Sequence, residues 1–220
     1  MSIPFGIYDF FASALPGGFY FFIIIYLCSI TGVIQIDFQA LNNLSTIQII
    51  AGAMVAYILG LVFDPVAKVW YRIFRKENAA DKVLAKYKDA FPQFLFKFQA
   101  WDWPILRAFL RRENKDFSYE IERMSVLRIM LRNVSFGLAI LAVILIAQFL
   151  VQGFLILHLF VSIALISVSI LAGRESAKYG DWFNAGFYEA IIAYGTEASD
   201  WIERKKVGKS DEVDDKKKAK

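Results

Sequence analysis

The chain has little that a catalytic or redox reading could use. Among its 220 residues there is one cysteine, Cys28, and one histidine, His158. Cys28 lies inside an apolar run, so no disulfide framework and no cysteine or histidine metal cluster can be built within one chain. Neither a metal nor a cofactor is expected. An HExxH pair, a glycine-rich phosphate loop ending in Lys-Ser or Lys-Thr, a GxGxxG turn and a GxSxG elbow are all missing. The carboxylates Asp214 and Asp215 have no neighbours able to desolvate them, and Glu120 and Glu122 point to different sides of a helix. The chain is therefore not expected to be an enzyme.

A cleavable secretory signal is missing too. Met1 to Leu15 contains no Lys or Arg, and the small residues Ala12, Ser13 and Ala14 precede the long apolar run when cleavage would require them to follow it. Positive charge is absent from far longer stretches. Every Lys and Arg lies either between Lys68 and Arg132 or after Gly173, and the runs Phe10 to Ile36, Phe38 to Phe63 and Asn133 to Gly173 have no charge of either sign.

What fills those runs is apolar. Hydrophobic residues make up 57% of the chain, against ~45–50% in an ordinary soluble domain, and the mean hydropathy is +0.45. The surplus calls for lipid as solvent. A helix of ~20 apolar residues crosses ~30 Å of hydrocarbon while satisfying its own backbone. Pro16-Gly17-Gly18 is expected to break any incoming helix, which starts the first span near Gly18 and ends it near Ile34. The second span is expected from Ser45 or Thr46 to Phe63, closed by Asp64-Pro65, a pair that suits the cap and first position of a new helix. The run from Asn133 to Gly173 is about twice what one helix needs. It is expected to fold back at Gln148, Gln152 and Gly153, giving spans of roughly Asn133 to Leu150 and Phe154 to Ala172.

Cytoplasmic flanks are enriched in Lys and Arg. An even number of spans puts both basic regions on one side, whereas three or five would split them. The expected fold is therefore an all-α integral membrane protein, with four transmembrane helices as two hairpins and a helical cytoplasmic portion. Residues 1–17 form an N-terminal segment, 18–64 the first hairpin, 65–132 a basic cytoplasmic region, 133–173 the second hairpin, 174–204 an amphipathic helix and 205–220 a disordered charged tail. The expected location is the plasma (cell inner) membrane, with both termini cytoplasmic.

On the cytoplasmic side, Val66, Val69, Trp70, Ile73 and Phe74 share one helical face, opposite Lys68, Arg72, Arg75 and Lys76, as in a helix lying on headgroups or on a partner helix. The aromatics Phe94, Phe96, Phe98, Trp101 and Trp103 suit an interfacial belt, with a ligand-stacking platform as the alternative. A helix from Pro104 to Arg112 groups Ile105, Leu106, Phe109 and Leu110, and another from Ser118 runs toward the third span. Tyr179, Phe183, Phe187 and Ile191 recur at helical spacing and should pack on the central segment. The arginines Arg72, Arg75, Arg107, Arg111, Arg112, Arg123 and Arg128 are candidate contacts for lipid headgroups or an anionic ligand. Interleaved carboxylates speak against specific nucleic-acid binding.

Two features of the spans concern association. Gly52, Ala56 and Gly60 form a small-residue face that lets helices approach closely, within the chain or between chains. His158, Ser162 and Ser169 form a polar stripe on the fourth span, able to line a pore in an oligomer or to hydrogen-bond a neighbouring helix. No Asp, Glu, Lys or Arg sits within the expected spans, which disfavours an ion-driven transporter. The layout is similar in outline to that of small prokaryotic membrane effectors and accessory subunits, including some anti-phage defence proteins. Two readings follow: an oligomeric pore-forming or membrane-disrupting effector controlled through its cytoplasmic segments, or a membrane anchor or accessory subunit that recruits a soluble partner. The expected partners are the bilayer, further copies of the chain, and a cytoplasmic protein or anionic ligand.

Overall fold

The computed structural model describes residues 7–35, 45–74, 79–90, 92, 102–152, 156–194, 197, 200 and 201. Among these the protein is all-helical, with α1 (Ile7–Ile30), α2 (Thr46–Tyr71), α3 (Ala79–Ala90), α4 (Trp103–Glu113), α5 (Lys115–Gln152) and α6 (Ile156–Ala193). Four of them, α1, α2, α5 and α6, are long and apolar enough to cross a membrane. At 1.5 Å per residue the 38-residue helices α5 and α6 are each about 57 Å long, well beyond a hydrocarbon core of ~30 Å. The chain divides into two compact units, residues 1–75 with 126–179 and residues 76–125 with 180–220.

Local chemistry sets the helix ends. Gly32 adopts φ of 73°, a left-handed conformation that stops α1 and turns the amides of Val33 and Ile34 back onto the Cys28 carbonyl at 2.9 and 3.2 Å. At the start of α2, Ser45 and Gln48 form a capping box: the Gln48 amide donates to Ser45 Oγ at 3.3 Å, and the Ser45 amide donates to Gln48 Oε1 at 2.8 Å. Between α4 and α5 a single residue serves both ends. The Asn114 amide donates to the Leu110 carbonyl at 2.8 Å, and its Oδ1 accepts from the Phe117 amide at 3.0 Å.

Two expected breaks do not occur. α1 runs through Pro16 and α2 runs through Pro65. A proline inside a helix costs one backbone bond, and neighbouring packing in a membrane bundle can offset that loss. Pro16 is fully buried, next to a close approach of α1 and α2. An added Cβ on Gly17 would lie 1.6 Å from the Ala56 carbonyl oxygen, and one on Gly60 would lie 2.0 Å from the Ser13 carbonyl oxygen. Around this point Phe10 stacks on Tyr57 and Tyr20 on Phe63, with ring centroids 5.5 and 4.5 Å apart. Glycine is required here for proximity, so Gly17 joins two helices where the sequence suggested it would end one.

In the same unit α5 and α6 meet through hydroxyls. Ser135 Oγ donates to the Ser169 carbonyl at 2.8 Å, Ser169 Oγ donates to the Ser135 carbonyl at 2.7 Å, and Ser176 Oγ donates to the Arg128 carbonyl at 2.8 Å. Both pairs are equidistant from residue 152, at 17 and 24 positions on either side, so the two helices run antiparallel here.

The second unit is built differently. Leu84 of α3, Leu106, Phe109 and Leu110 of α4, Ile121 of α5, and Phe187, Tyr188, Ala190 and Ile191 of α6 form one buried apolar cluster. α4 and the 183–191 stretch of α6 thus turn inward the residues whose spacing marked an apolar face. The expected tail, 205–220, and the aromatics Phe94, Phe96, Phe98 and Trp101 lie outside the described residues.

Candidate functional site

The first unit holds an ionic cluster that no single stretch of sequence reveals. Asp64 of α2 accepts from Arg132 of α5 and is paired with Lys68 one turn along its own helix at 2.8 Å. Asn133 Nδ2 donates to the same carboxylate at 3.3 Å, and Tyr20 Oη donates to the Asn133 carbonyl at 2.7 Å. α2 and α5 therefore converge on one carboxylate, and α1 joins through the Asn133 backbone. Arg132 and Asn133 are both buried, and only the Lys68 arm reaches outside. Arg132 Nε and Asn133 Oδ1 are buried without a hydrogen-bond partner among the described residues. The cluster thus keeps one donor and one acceptor unspent, and its two cations outnumber its single carboxylate.

Asp64 does not act as the cap of a new helix, because α2 continues to Tyr71. Its carboxylate is used laterally, toward an arginine 68 positions away. The cost of removing an arginine from water explains why: a buried guanidinium needs an opposite charge within reach. A signal existed in the sequence, since Asp64 and Arg132 each stand at the basic end of an uncharged run.

The segment after Asp64 also departs from expectation. It was expected as a separate amphipathic helix, yet 66–71 belongs to α2 and packs into the first unit. Ala67 and Tyr71 are buried, Trp70 Nε1 donates to Ser135 Oγ at 3.0 Å, and the Phe74 ring covers Gly173, where an added Cβ would lie 2.6 Å away. Val66, Val69 and Ile73 remain exposed.

The small-residue face divides. Ala56 and Gly60 are buried against α1, whereas a Cβ on Gly52 would meet nothing within 4 Å. The polar stripe divides as well. Ser169 bonds across to Ser135, and Ser162 Oγ donates to its own helix at the His158 carbonyl, 2.6 Å away. Both serines are buried and His158 is partly so.

Several candidate arginines are already engaged. Arg107 and Arg111 pair with Glu122 at 3.0 and 3.3 Å. Arg112 holds Glu113 and lies over the rings of Phe109 and Trp201, 5.9 and 5.8 Å from their centroids. Arg72 and Arg123 are exposed, Arg128 is partly buried, and Arg75 lies outside the described residues. In the same unit Tyr87 donates to Glu189, and burial with that neighbouring carboxylate pushes its phenol up to about 12. Among the described residues no group of three or more His, Cys, Asp or Glu could hold a metal ion.

No protein-family model matches the chain, and neither a curated protein nor a solved structure matches it.

Proposed function

We propose that the chain is a non-enzymatic, multi-pass inner-membrane protein that anchors a helical module and recruits a soluble partner protein with it. The spans cross four times, α5 and α6 as a hairpin, with both termini and both basic regions in the cytoplasm. The observation that carries this reading is the surface of the second unit. With a complete apolar cluster of its own, it still leaves the large aromatics Trp103, Tyr119 and Trp182 exposed. Such residues are enriched where proteins bind one another.

The spans support an anchor as well. The buried hydroxyls of Ser135, Ser162 and Ser169 and the carboxylate of Asp64 are spent on bonds within the chain, which leaves little to line a conduit. The membrane-disrupting reading accordingly draws no support from Ser162 and Ser169. Affinity purification in mild detergent, with mass measurement of the intact complex, tests the proposal. A partner is expected that W103E and W182E weaken while the protein stays monodisperse. A reactive cysteine introduced at Gly153 that labels only from the cytoplasm would overturn the topology, and ionic current through planar bilayers would restore the effector.

A further inference from the structure

The first unit contains a second feature, independent of any partner. A groove of about 450 Å³ runs between α2, α5 and α6, walled by Trp70, Phe136, Ile140, Ile144, Ile166 and Ile170. It opens to the outside of the helices: Val143, on its rim, is 64% exposed. Its two polar groups are already satisfied, because the Trp70 indole donates to Ser135 and the Ser169 hydroxyl to the Ser135 carbonyl. The walls therefore offer a ligand only apolar contact, and a polar molecule entering here would lose its hydrogen bonds to water without replacement.

Along α6, Ile166 and Ile170 are one turn apart, and the next position on that stripe is Arg174. Arg174 is exposed and has no carboxylate partner among the described residues. It stands at the end of the uncharged run, at the groove end marked by Trp70. An apolar slot ending in an unpaired guanidinium matches an amphiphile with a hydrocarbon tail and an anionic head. Indole and guanidinium both favour the headgroup level of a bilayer.

We propose that the groove holds an acyl chain of an anionic phospholipid from the cytoplasmic leaflet, with its phosphate at Arg174. The site needs the helices to lie in a bilayer but does not need the second unit to bind a partner.

The test uses the full chain in mild detergent. It is mixed with phosphatidylglycerol or phosphatidylcholine and retained lipid is counted by native mass spectrometry. Phosphatidylglycerol should be retained in preference to phosphatidylcholine. V143W, placed on an exposed rim where it disturbs no buried contact, should close the groove and abolish retention of both. R174Q should keep the chain contact and lower phosphatidylglycerol retention about fivefold, the worth of one cation at a membrane surface, while R123Q changes nothing. Unaltered retention in V143W, or equal retention of the two lipids with no effect of R174Q, would overturn the site. A dimer in the wild type that V143W converts to monomer would overturn it too, by giving the groove to a second copy.

Discussion

The two units solve opposite problems with the same kind of helix. In residues 76–125 and 180–220 the core is apolar, Leu106, Phe109 and Ile191 being almost wholly buried, while Arg107 and Arg111 reach a half-buried Glu122 from the surface. In residues 1–75 and 126–179 the order is reversed. Ile47 is 78% and Phe160 64% exposed, whereas Ser135, Ser162, Ser169 and Asn133 are buried. Where the surrounding medium is as apolar as the side chains, burying leucine or phenylalanine gains little, and specificity passes to close approach and hydrogen bonds. Where it is water, burial of apolar area dominates.

That contrast can be broken by mutation, most strongly in the second unit. Phe109→Ala should cost about 3–5 kcal/mol, as expected for an aromatic removed from a packed core, and Phe160→Ala should leave the melting temperature of the detergent-solubilised protein unchanged. Equal losses would erase the distinction. Next in size is Asp64→Ala, which strands Arg132 and should cost about 3 kcal/mol. The double variant Asp64→Leu with Arg132→Met should recover most of it, measured by thermal shift. Gly17→Val forces a side chain into the Ala56 carbonyl and should cost about 1–3 kcal/mol, whereas Gly52→Ala should be silent by the same measurement.

The smallest effect concerns Tyr87. Its folded-state pKa is pushed up to about 12 from the ordinary value of ~10, so the neutral phenol is the form the fold favours. Its contribution is fully present below the unfolded value and fades as pH rises from about 10 to about 12. Spectrophotometric titration should show late-ionising tyrosines, and Y87F should lower their number by one.

Hydropathy and turn residues made much of this legible. The four long apolar helices and the inward faces of α4 and α6 follow from spacing alone, because each depends on residues near one another in the chain. Gly17 and Asp64 depart from expectation for a shared reason. Local rules assign glycine beside proline to a break, and aspartate before proline to a cap, yet both residues answer to partners on other helices. Ala56 lies far along the chain from Gly17, and Arg132 is 68 positions from Asp64. No local propensity contains such distances. Ser135 has no partner stripe on its own helix to mark it, although it stands as far before residue 152 as Ser169 stands after it.

Those serine bonds carry one more consequence. Arg128 and Ser135 are seven residues apart on α5, and Ser169 and Ser176 are seven apart on α6. A spacing of seven between contacts is the one that suits a left-handed winding of two helices, since an unbent helix drifts about 20° per heptad. The crossing should be the shallow one common in membrane bundles, near 20°. The seam is also keyed. Sliding α6 by a single residue would rotate both hydroxyls away from their carbonyls together, so the pair has one register, whereas the glycine contact of α1 and α2 asks only for room.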